Sequence, residues 1–212
     1  MKLDFGLAAH TRFFAMGRGR QGPSVFISAS CWARKLAVFV IALVMFVSVR
    51  AEPVERRLNE DGVVFELVGH ATFRWKRVVG VYDASLHVGS GADPMRILRD
   101  DMPLRLDIRY RRAFAAVDII KGGDALLARN VSAETLMSLR SRLEELNRAY
   151  RDVKTGDRYT LTYAPGAGTT LRLNAVPLIT VPGEDFARAY FSIWLGPDPI
   201  GLHFRDQLLG RS

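Results

Sequence analysis

The groups that most often do chemistry are thinly spread along this sequence. His70, His87 and His203 fit no ligand-pair spacing, so each reads as a core or surface residue rather than a metal ligand. Asp100 and Asp101 are adjacent carboxylates, but they lead into a strand and read as a solvated turn, not an acid/base pair. Asp118, Asp124 and Glu134 show no partner pattern. Gly89 and Gly91 lack the third glycine and the βαβ setting of a dinucleotide loop. Asn130 and Ser132 match a glycosylation sequon, although Ser132 reads better as a helix cap. No metal and no cofactor is expected. What the chain concentrates instead is apolar surface near its C-terminus, in Phe186, Ala187, Ala189, Tyr190, Phe191, Ile193, Trp194 and Leu195. A helix apolar on nearly every side must be buried all round or line an apolar cavity.

Stepping outward from that block, the order of elements predicts α+β architecture. Residues 63–68 form a short β-rich run, and residues 72–88 a longer one expected to bend or break near Gly80. Asp93 and Pro94 start a short helix to about Arg99, with Asp as the cap and Pro at the first helical position. Residues 104–110 alternate apolar and charged with period two, which predicts a strand. Residues 115–130 are helical in composition but contain Gly122 and Gly123, where a kink is expected. Ser132 caps a helix whose Leu136, Leu139, Leu143, Leu146 and Tyr150 share one face. Residues 158–164 and 169–173 form a hairpin across Pro165 and Gly166, and residues 176–181 a last strand. Two helices follow, separated by an elbow at Gly196, Pro197 and Pro199. The hairpin connections are too short for parallel crossovers. They predict a single domain with an antiparallel sheet and its helices packed on one face.

The first 51 residues change the meaning of the composition. Arg34 and Lys35 precede an apolar run over residues 36–47, and Ser48 to Ala51 provide a small-residue exit, the layout of a secretory signal peptide cleaved near Ala51. Twelve residues at about 1.5 Å each span about 18 Å, short of the roughly 30 Å of a hydrocarbon core. The long stretch ahead of Arg34 suggests an upstream start, with Met16 as the alternative. Seven of the 30 basic residues and one of the 22 acidic ones lie in residues 1–51, so the remainder carries only about +2 of the formal +8. No nucleic-acid partner is expected from so small a charge, and membrane contact is expected only through the signal segment. The only cysteine, Cys31, also falls ahead of the apolar run, leaving residues 52–212 without a thiol. A periplasmic or secreted location fits that usage. Those residues suit one domain, which at that size buries roughly 70% of the surface its unfolded chain exposes.

Three blocks carry a resemblance to a known family. They are Phe73, Arg74, Trp75, Gly80, Val81 and Tyr82; then Trp194, Leu195, Gly196, Pro199 and Ile200; then Phe204, Arg205, Asp206 and Gln207. Together they resemble the chalcone isomerase-like family in its bacterial exported branch, over most of residues 58–210. The resemblance implies an open-faced sandwich of sheet and helices, with a ligand cleft between the layers, as in the related plant fatty-acid-binding proteins. It also implies where catalytic residues would stand. The plant enzymes hold a phenolate with an arginine and stabilise an enolate with hydroxyls, an electrostatic task. Aligned by the blocks above, the arginine position is Phe65, the threonine position Arg77, and the helical Tyr and Asn positions fall near Ile119 and Leu126. The catalytic set is not carried over.

A cleft without its catalysts suits a fatty acid or another apolar or amphipathic small molecule, oriented by a few polar groups. The candidate handles are Arg74, Arg77, Tyr82, Arg109, Tyr110 and Arg112, and the candidate wall is Phe186, Tyr190 and Trp194. Each has an ordinary structural reading too, the arginines as solvated strand or turn residues and the aromatics as core. Two other functions stay open: an isomerase that ring-closes a chalcone-like enone, and an envelope structural or interaction protein with a filled core.

Overall fold

Period-two alternation of apolar and polar residues builds the sheet of this protein. The computed structural model describes residues 54–76 and 78–211. The signal-like segment, with Met16 and Cys31, lies outside the described residues, as does Arg77. Seven strands follow in chain order: β1 Arg57–Glu60, β2 Val63–Trp75, β3 Val79–Gly89, β4 Leu104–Tyr110, β5 Arg158–Ala164, β6 Gly168–Leu173 and β7 Val176–Val181. Each strand pairs antiparallel with the next, giving one sheet in the order of the chain. The sheet curls into a half-barrel with helices beside it, the α+β fold expected.

Register puts the apolar positions on one face. Tyr82 stands opposite Tyr110, Leu86 opposite Leu106, and Ala84 opposite Ile108. Ile108 in turn faces Tyr159, and Leu106 faces Leu161. Helices α1 (Ala116–Asn130), α2 (Ala133–Ala149), α3 (Glu184–Leu195) and α4 (Leu202–Leu208) cover this face. Nine of the twelve residues of α3 are buried, Phe186 and Phe191 completely, and only Glu184, Asp185 and Arg188 reach the surface, so the helix that reads as apolar on nearly every side is enclosed on nearly every side. Each such large side chain contributes about 1.5–3 kcal/mol by leaving water.

The other face is polar, and β1 is fastened to it. Glu60 meets Arg105 and Arg172, and accepts from the Thr162 hydroxyl at 3.1 Å. Arg105 also forks onto Asp107 through two 2.9 Å bonds, and Thr160 donates to the same carboxylate at 2.7 Å. The side chains of Glu60, Arg105, Asp107 and Arg172 are only 11–18% exposed, so the charges neutralise one another where water is scarce.

Three local readings are corrected. Residues 63–75 form one strand rather than a short run and a break, and the chain turns after Trp75, where Lys76 adopts a left-handed φ of 50°. β2 stays continuous by bulging between Leu67 and Gly69. There a β carbon on Gly69 would collide with the Gln207 carbonyl oxygen and lie 2.6 Å from that of Leu208, so the missing side chain lets the end of α4 sit on β2. The element after Asp93 is a single 3₁₀ turn, Pro94–Arg96. Finally, α1 runs unbroken through Gly122 and Gly123. No heavy atom lies within 4 Å of a β carbon at Gly122, and at Gly123 the nearest is the Tyr190 hydroxyl at 4.0 Å. The two glycines leave space beside the helix instead of bending it.

A tyrosine-lined cavity between sheet and helices

That space belongs to a cavity of about 220 Å³. Its floor is the apolar face of the sheet, through Phe73, Tyr82, Ile108, Tyr110, Tyr159 and Leu161. Its roof is α1, through Ile119, Gly122, Gly123 and Leu126, and α3, through Tyr190, Ile193 and Trp194. Period two aims alternate residues of β3 and β4 at the helices, while the spacing Ile119, Gly122, Gly123, Leu126 is one face of a 3.6-residue helix. Exposed Asp118 and Gly122 bring the cavity to the protein surface. A larger depression of about 460 Å³ lies elsewhere, around Asn130, Thr135, Glu184 and Arg188, and has none of these convergent phenols.

Five tyrosines line the cavity, and their hydroxyls differ in commitment. Tyr159 is saturated: it donates to the Arg151 carbonyl at 2.9 Å and accepts from the Arg151 amide at 2.7 Å. Tyr150 and Tyr190 share one bond at 2.7 Å, which uses the proton of only one of them. Tyr82 accepts from the Trp194 indole N–H at 3.2 Å. Tyr110, 7% exposed, packs its ring against Tyr82, Phe114 and Tyr159 but has no hydrogen-bond partner among the described residues. Burial pushes the pKa values of Tyr82, Tyr110, Tyr150 and Tyr190 upward; the Trp194 bond opposes this at Tyr82, and neighbouring tyrosines add to it at Tyr110. All four stay neutral phenols at ordinary pH.

The structure gathers four of the nine candidate residues at this cavity: Tyr82, Tyr110, Tyr190 and Trp194. Phe186 stands behind the wall, stacked on Tyr190 with centroids 5.6 Å apart. Arg74 is exposed near the end of β2, and Arg112 is exposed just after β4. Arg109 neighbours Tyr110 in β4 and so points to the opposite face. None of these three arginines lines the cavity, and Arg77 lies outside the described residues. Sequence reasoning missed Tyr150, Tyr159, Ile119 and Leu126 as lining residues. The Tyr150–Tyr190 contact joins positions 40 apart, which no local spacing reveals. The glycine pair at 122–123 was the available signal for a void beside α1.

Among the described residues no group of three or more His, Cys, Asp or Glu could hold a metal ion, and no helix is long and apolar enough to cross a membrane. His87 is buried on the polar face, with Nε2 2.9 Å from the Glu55 carbonyl and Nδ1 3.9 Å from Asp107.

No curated protein sequence matches the chain. Among solved structures, it is similar to a fatty-acid binding protein of Arabidopsis thaliana, with a TM-score of 0.50 and 11% sequence identity, covering 72% of this chain and 95% of the plant protein. At that identity the likeness is one of fold. Residues 47–210 match the family model described as chalcone isomerase-like, and the chain belongs to that family.

Proposed function

We propose that this protein holds an apolar or amphipathic small molecule in the cavity between α1, α3 and the sheet, without transforming it, and does so after export. The cavity itself carries the reading. It is walled by aromatic and aliphatic side chains, with a few convergent hydroxyls to orient what enters, the composition of a small-molecule site. The Arabidopsis protein of similar fold is named for fatty-acid binding, which agrees with an apolar occupant. The absence of catalysis rests on Ile119 and Leu126. They stand near the helical positions where the family resemblance places a catalytic Tyr and Asn, and both present aliphatic carbon to the cavity. Export rests on the signal-like sequence of residues 34–51.

Organic extraction of the purified protein followed by mass spectrometry tests binding, with a co-purifying apolar compound as the expected result. An extract free of ligand, from a protein that also binds no apolar probe, would overturn the proposal. Chalcone absorbance should decay at the same rate with and without the protein. Recovery from the cell envelope with Glu52 as the first residue is expected if export is right.

A further inference from the structure

We infer that the cavity selects an uncharged ligand with a hydrogen-bond acceptor, such as an aryl or alkyl ketone or ester, and excludes the corresponding carboxylate. The inference rests on the binding function proposed above and narrows it.

Two independent features carry it. The first is the distribution of charge. Among the described residues no arginine or lysine lines the cavity, and the one carboxylate there is that of Asp118 at the exposed rim. A buried carboxylate needs a compensating cation as well as hydrogen-bond donors, and without the cation the penalty amounts to several kcal/mol. Asp118 would oppose an incoming anion rather than receive it. The burial that raises the pKa values of the lining phenols disfavours any negative charge in the same space.

The second feature is the surplus of neutral donors. Tyr110 offers an O–H with no partner among the described residues, although the residue is 7% exposed. Tyr82 accepts from Trp194 and keeps its own proton uncommitted, and one of Tyr150 and Tyr190 does the same. An occupant that shuts these donors off from water and leaves them unmatched carries a cost, so the cavity complements a group that accepts and does not donate. A carbonyl oxygen is that group. The volume also sets a scale: a cavity of about 150 Å³ is known to take benzene, so 220 Å³ suits a bicyclic ring or a short chain.

Calorimetric titration of the intact protein with naphthalene, 2-acetylnaphthalene and 2-naphthoate at about pH 7.5, where the acid is ionised, separates the possibilities. We expect naphthalene to bind, the ketone to bind about tenfold more tightly, and the carboxylate to bind at least about tenfold more weakly than the ketone. The Tyr110→Phe variant should lose most of the ketone's advantage and keep naphthalene affinity. A carboxylate that binds as well as the ketone would overturn this inference while leaving the binding function in place. A ketone advantage untouched in Tyr110→Phe and equally in Tyr82→Phe would overturn the role of the phenols. Failure of all three ligands would overturn the binding function and the inference with it.

Discussion

The Trp194 indole N–H donates to the Tyr82 hydroxyl oxygen at 3.2 Å, joining α3 to β3 where both side chains are buried. The bond spans 112 positions of sequence and fixes the height of the helix above the sheet. Tyr82→Phe strands a buried indole N–H, and Trp194→Phe removes the donor and opens space. Each should lower stability in denaturant unfolding by about 1–3 kcal/mol. Because the two act through one contact, the double variant should cost clearly less than the sum of the singles.

Gly69 is held to its identity by α4. Its β carbon has no room against the Gln207 and Leu208 carbonyls. Gly69→Ala should therefore destabilise by more than about 2 kcal/mol, because backbone rather than a flexible side chain must move. Thermal unfolding of the variant checks this.

Gly123 has the opposite expectation. An alanine methyl there meets only the Tyr190 hydroxyl at 4.0 Å, an ordinary contact. Gly123→Ala should raise stability by about 0.5–1 kcal/mol through helix propensity. A loss of stability on the same measurement would contradict the view that the glycines serve the cavity and not the helix.

Burial lowers the pKa of His87 below its usual 6.5, opposed by the Glu55 carbonyl and the Asp107 carboxylate and reinforced by Arg105. Below about pH 6.5 the unfolded chain then binds more protons than the folded one, so stability must fall as pH drops through that value toward the lowered one. His87→Gln should flatten this slope, measured as melting temperature between about pH 7.5 and 5.5.

The fold was largely legible because β4 and α2 each follow one clear period, because α3 is apolar on nearly every side, and because residues 165–168 mark a hairpin. β1 was missed although Asp61 and Gly62 advertise a tight reversal, with φ of 50° and 81°; its four residues, three of them polar, give no alternation to read, and its place shows only where Glu60 meets Arg105 and Arg172. Between β2 and β3 the sequence contains no Gly, Pro or Asn, so no residue type announced the turn. The site was half legible. Tyr82, Tyr110, Tyr190 and Trp194 stand in strong elements whose inward faces can be read. Tyr150 and Tyr159 reach the cavity only by tertiary placement, and an arginine's face depends on a register that composition does not reveal, as Arg109 beside Tyr110 shows.

The central claim is that an apolar molecule occupies the space under α1 and α3. Calorimetric titration with naphthalene, comparing the intact protein with a Leu126→Trp variant whose larger side chain fills that space, tests it most directly. Saturable binding to the protein and its loss in the variant, with the circular dichroism spectrum unchanged, is the predicted result. Equal binding by a folded variant, or no binding by either protein, would contradict it.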